Sequence, residues 1–169
     1  FFYKTKISIM KKGIAIGLVG LLVICSSMVF IQKKDGTPLY NVKDGYGAEG
    51  YDVVAYFDSK PTVGVAEFEH KYQGVKYKFS SDKNLKLFKE NPQKYTPQYG
   101  GWCAYAMGLK EDKVTVDPET FEIREGKLFL FYNAWGKNTL KKWLKEDPKK
   151  LMKQANTNWV KIKRKSLQK

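Results

Sequence analysis

Cysteine and histidine are almost missing from this sequence: Cys25 and Cys103 are the two thiols and His70 is the one imidazole. So few cysteines exclude a disulfide framework. A closed structural zinc site takes about four Cys or His ligands, which this inventory cannot supply unless two chains share the ion. Acids are scarce beside bases, 17 Asp and Glu against 31 Lys and Arg, a formal net charge of +14. Anionic lipid, nucleic acid or anionic ligands would all feel that charge. No zinc-finger spacing, RNP-like motif or arginine cluster accompanies it, so a solvated lysine-rich surface is expected and no nucleic-acid partner. A GxSxG elbow is missing too, and no lysine or serine follows the glycine pair at P-loop spacing. Ser80, His70 and Asp52 can be written down as a triad, but Ser80 and Ser81 read better as helix caps. Glu111-Asp112 reads as a solvated pair. No catalytic constellation emerges, and the chain is not expected to be an enzyme.

What is present in quantity is aromatic: 11 Tyr, 10 Phe and 4 Trp in 169 residues, far from the composition of disordered chains. One domain is expected. Gly13 to Ile31 (GIAIGLVGLLVICSSMVFI) carries no charge and nearly matches the length of a membrane-crossing helix. Met10-Lys11-Lys12 before it resembles the basic start of an export signal, so residues 1–9 are read as an upstream extension. The bulky Ile24 before Cys25 disfavours a lipoprotein signal. Residues 1–12 are expected in the cytoplasm, 13–31 as signal or membrane span, 32–50 as a polar glycine-rich linker, and the domain outside the inner membrane, in the cell envelope. The globular part is placed at 51–159, and 160–169 is read as a frayed basic tail.

Periodicity gives an α+β domain, a small antiparallel sheet of hairpins packed with short helices. GYDVVAYF reads as a strand or extended segment. Phe68, His70 and Tyr72 alternate with charges, as do Val75, Tyr77 and Phe79 after Gln73-Gly74. That is a hairpin with His70 opposite Tyr77 and Phe68 opposite Phe79, all facing the core. SSDKNLKLFKEN is an amphipathic helix capped by serine and stopped at Asn91-Pro92. Val114–Val116 is extended and Asp117-Pro118-Glu119 a turn. FEIR-EG-KLFLFY is a second hairpin, with Ile123 opposite Leu128, Phe121 opposite Leu130, and a central second strand covered on both faces. Two helices close the domain, Asn138–Glu146 with Leu140, Trp143 and Leu144 inward, and Pro148 to about Asn156 with Leu151, Met152 and Ala155 inward.

The succession GYDVVAYF, F-x-H-x-Y-x-G-x-x-Y-x-F-S-S, F-x-x-x-P-x-x-Y, PQYGGWCAYAMG, DPETFEI, GKLFLFYN and NTNW resembles exported bacterial YHS-domain proteins over roughly Gly50 to Trp159. The resemblance implies a small α+β metal-binding module. In metal-binding relatives cysteines stand at the positions of Ala55, Ser80 and Asn84, and all three are absent here. An open or mixed site for copper or zinc then falls to Cys103 and His70, aided by Asp52 and Asp117. Tyr99, Gly100, Gly101 and Tyr105 are candidates for a small-ligand or cofactor pocket, since the glycines permit positive φ and either line a pocket or turn a corner. Cys103 itself is a metal ligand, a reactive thiol, or a small core residue. The functional expectation is a membrane-tethered module binding a transition metal or small ligand. The alternatives are an interaction module with an envelope protein partner and a single-thiol redox protein.

Overall fold

In a computed structural model of the protein, the described residues are 38–168. The hydrophobic run 13–31 and the start at Met10 lie outside them. Among the described residues no helix is long and apolar enough to cross a membrane.

The first hairpin forms as its alternation predicts. β3 (Val65–Tyr72) and β4 (Val75–Phe79) pair antiparallel with His70 opposite Tyr77, turning through Gln73 and Gly74, both at positive φ. Phe68 does not face Phe79, because a register shift between Val65 and Glu69 brings Val65 to Phe79 instead. His70 is half-buried, and its ring meets the edge of Phe88, centroids 6.1 Å apart. Phe88 comes from α1 (Asp82–Glu90), whose N-terminus is capped by the Ser81 hydroxyl accepting from the Asn84 N–H at 3.2 Å. It is fully buried and also packs on Tyr72, Tyr77 and Phe79. One aromatic thus fastens the helix to the sheet face.

Part of the presumed linker belongs to that sheet. β1 (Val42–Lys43) and β2 (Tyr46–Gly47) form a short hairpin, and β2 lies parallel to β4, giving the order β1-β2-β4-β3. The sheet is therefore mixed, where a wholly antiparallel one was expected. Local contacts hold this piece: the Tyr46 ring receives the Lys76 and Lys78 ammoniums at 5.1 and 4.3 Å. A side chain on Gly47 would meet the Tyr77 ring at 2.7 Å.

GYDVVAYF is not a strand. Tyr51 makes one bridge to Val63, and Ala55–Asp58 is a 3₁₀ turn, with Val53, Val54 and Tyr56 buried. The carboxylate of Asp52 accepts the Val54 and Ala55 N–H groups, and that curls a sequence whose composition favours extension. After α1 come α2 (Pro92–Tyr95), capped by Asn91, and a 3₁₀ turn at Gln98–Gly101. α3 (Ala104–Lys110) follows where only a glycine corner was expected. Ala104, Tyr105, Met107 and Gly108 are all buried in it, so no polar face marks its period.

β5 (Asp117–Arg124) and β6 (Lys127–Phe131) have the expected register, Ile123 to Leu128 and Phe121 to Leu130. Asp117-Pro118-Glu119 is the bulged start of β5, not a separate turn. Leu128 to Phe131 are all buried, yet β6 pairs with β5 alone in a two-stranded ladder, so packing rather than further strands covers it. Phe129 and Phe131 meet Trp143 of α4 (Thr139–Lys145) at 6.0 and 5.5 Å. A tight hairpin, β7 (Asn133–Ala134) and β8 (Lys137–Asn138), leads into α4. Leu144, expected inward, is exposed, because Trp143 fills the inward position with Leu140 packed against the core on the same side. α5 (Pro148–Leu167) runs through the presumed frayed tail, since Leu151, Ala155 and Ile162 keep one face buried. Glu111 holds its basic end through Lys165 at 3.0 Å and Lys161 at 3.8 Å.

Candidate functional site

Asp52 is fully buried, and its carboxylate gathers five hydrogen bonds. Oδ1 accepts from the N–H groups of Val54 at 2.9 Å and Ala55 at 3.3 Å. Oδ2 accepts from the Ser80 N–H at 2.8 Å, the Ser80 hydroxyl at 2.7 Å and the Asn84 Nδ2 at 2.7 Å. Three elements supply these donors: the curled segment after Asp52, the end of β4, and the first turn of α1. Every lone pair of the carboxylate has a donor, which is the condition for a stable buried charge. No buried side-chain nitrogen or oxygen among the described residues lacks a partner.

The other candidate residues are placed apart, each with work of its own. Cys103 is fully buried at the start of α3. Its Sγ accepts the Tyr132 N–H at 3.4 Å and lies 3.4 Å from the Thr139 Oγ1. The Thr139 hydroxyl already donates to the Tyr132 carbonyl, so the thiol donates to Thr139. Asp117 Oδ2 accepts from Thr120 and Asn133, and its Oδ1 from the Glu119 N–H, which secures the β5 bulge. Among the described residues no three of His, Cys, Asp and Glu are grouped to hold a metal ion.

Tyr99, Gly100 and Gly101 turn a corner. Their φ values are +54, +64 and +82°, and the chain docks on the carbonyls so presented: the Asn41 N–H on Gly100 and the Asn41 Nδ2 on Gly101. A Cβ on Gly100 would stand 2.8 Å from the Trp159 ring of α5. The Tyr99 hydroxyl donates to Asn156 at 3.1 Å. The Tyr105 hydroxyl donates to Glu146 at 2.7 Å, and that bond, with burial, pushes its pKa up to about 12. Tyr99 and Gly100 thus close on α5, Gly101 on Asn41, and Tyr105 on Glu146 at the end of α4.

Sequence spacing makes Ser80 a cap and Asn84 a helix residue and does not reveal their shared attachment to Asp52. The signal lay in the resemblance itself, since the three thiolate positions Ala55, Ser80 and Asn84 are three of the four residues, with Val54, that donate to this carboxylate. A hairpin and capped helix closed onto a preceding buried acid define a small α+β domain. Residues 53–99 match the model of the YHS domain, and the chain carries a YHS domain over that span. No curated protein and no solved structure matches the chain.

The YHS family is associated with metal binding, but the residues at these positions do not fit a metal. Ala55 offers a methyl group, Ser80 and Asn84 turn their hydrogens toward Asp52, and the carboxylate has no lone pair left to donate.

Proposed function

We propose that this chain is a non-catalytic YHS interaction module of the cell envelope, in which a buried carboxylate stands where metal-binding relatives of the family hold their ion. The observation that carries the reading is the convergence of Ala55, Ser80 and Asn84 on Asp52. Removing the thiolates removes the ligands, and the five donors on Asp52 tie the same three elements together without an ion. Thiol redox chemistry needs an accessible sulfur, and Cys103 is 0% exposed. The envelope placement draws its support from the uncharged run Gly13–Ile31.

Elemental analysis of the untagged full chain from metal-replete cells tests this. The parent is expected to carry no near-stoichiometric zinc, copper or iron, and a chelator is expected to leave its unfolding temperature unchanged. The combined variant Ala55→Cys, Ser80→Cys, Asn84→Cys is expected to gain zinc. Near-stoichiometric metal in the parent, lost in folded Cys103→Ala and His70→Ala variants, would return the function to metal binding.

A further inference from the structure

Trp135 forms the tip of the β7–β8 hairpin and is 92% exposed. Its φ is +52°, and Gly136 follows at +72°. A bulky residue is disfavoured in the left-handed region, where Asn, Asp or Gly suits this turn better. Neither turn chemistry nor packing therefore asks for an indole at this position.

Its surroundings are basic. Lys137 is next in the hairpin, and α4 begins two residues later. With Trp143 turned inward, helical spacing puts Lys141 and Lys145 on the opposite face, beside the exposed Leu144. From Trp135 to Lys150 six lysines stand against two acids. Both acids are already engaged: Glu146 accepts from Tyr105, and Asp147 caps α5 through the Lys150 N–H.

We propose that the Trp135 hairpin and the outer face of α4 seat the domain on an anionic lipid surface, with the indole at head-group level and the lysines toward the phosphates. An amphipathic ring at the tip and long lysine stems around it are what a bilayer interface accommodates. A protein partner of standard affinity needs about 800 Å² per side with an apolar centre. One indole and one leucine among lysines do not make such a centre. The other basic surface, the end of α5, has two of its lysines held by Glu111. This assignment rests on reading the chain as an envelope interaction module and names the surface it meets.

The test uses the full chain, mixed with vesicles of phosphatidylcholine alone or with phosphatidylglycerol, some lipids brominated in the acyl chain to quench tryptophan. Trp102 and Trp143 are buried and Trp159 half-buried, so the difference between the parent and Trp135→Phe isolates residue 135. Expected is a quenching difference with phosphatidylglycerol that falls several-fold in neutral vesicles and at high salt. The combined variant Lys137→Gln, Lys141→Gln, Lys145→Gln is expected to lose it. Equal quenching of parent and Trp135→Phe in anionic vesicles, with both folded by circular dichroism, overturns the proposal. So does an equal difference in neutral vesicles, or shielding of Trp135 from acrylamide only when membrane proteins are present. Metal content of the same preparation reports separately on the module's metal-free state, so either reading can fail without the other.

Discussion

Asp52→Asn is the sharpest perturbation, because it keeps the volume of the side chain and removes one acceptor and the charge. Placed with Nδ2 toward Ser80, the new amide would face two N–H donors and a hydroxyl. Turned the other way, it faces the N–H groups of Val54 and Ala55, and Ala55 keeps its second bond, to the Asp52 carbonyl at 3.1 Å. The second orientation is cheaper; it orphans the Val54 N–H and leaves the two hydrogens of the new amide facing donors. An orphan of that kind costs about 1–3 kcal/mol, and the three bonds that remain lose the extra strength of a charged acceptor. The sum is at least about 3 kcal/mol, a large part of a typical stability of about 5–15 kcal/mol. At a few degrees per kcal/mol for a domain of this size, the unfolding temperature should fall by about 10 °C. Urea denaturation of the parent, Asp52→Asn, Asn84→Ala and the double variant measures both the loss and the coupling. Asn84→Ala should cost less by about 0.5 kcal/mol or more when Asp52 is already Asn. Asp58→Asn, at an exposed acid of the same segment, should stay within about 0.5 kcal/mol of the parent. If Asp52→Asn and Asp58→Asn unfold at the same urea concentration, the carboxylate does not hold these elements together and the reasoning is wrong.

Cys103 should resist iodoacetamide in the native chain and react once urea unfolds it, read on its own peptide by mass spectrometry; native labelling would contradict its burial. Gly100→Ala, at φ +64° and with its methyl 2.8 Å from Trp159, should cost about 2–3 kcal/mol through left-handed strain and overpacking, and an unchanged urea midpoint would refute the corner. Tyr105 is pushed up to about 12, by its bond to Glu146 and then by burial, and burial raises Tyr56, Tyr77 and Tyr99 as well. The unfolded chain gives up these protons near pH ~10, so native stability is full below that and falls as pH rises toward the folded values. Phenolate absorbance followed beside circular dichroism checks this; all 11 tyrosines ionising together in a still-native chain would refute it.

The elements that the sequence declares are those whose signal is local. The pairs His70–Tyr77 and Ile123–Leu128 follow from two-residue turns and strict alternation, and α1 follows from its serine cap and the Leu85–Phe88 spacing. The Asp52 cluster could not be read that way, because its donors Ser80 and Asn84 lie 28 and 32 residues further along the chain. Periodicity reports which face a residue occupies, not which distant polar atom it meets. Asn41 poses the same difficulty. Its side chain reaches Gly101 across 60 residues, so a polar, glycine-rich stretch that looks like a tether is held in the domain by hydrogen bonds without any period. The end of α5 was hidden by composition, since a run of lysines masks the one inward Ile162.

The consequence of exchanging an ion for a carboxylate is thermodynamic. A domain closed by a metal gains stability in proportion to the logarithm of free metal over its dissociation constant, so its folding follows supply. On the proposed reading the acceptor is carried in the chain, at a fixed effective concentration beside its donors, and folding would be uncoupled from metal. The exchange carries its own constraint, because a buried charge is tolerated only when all its donors are in place. Changes at positions 52, 80 and 84 are therefore energetically coupled. A lone Ser80→Ala or Asn84→Ala leaves Asp52 under-bonded in the core, whereas a concerted change to thiolates would provide ligands for an ion instead.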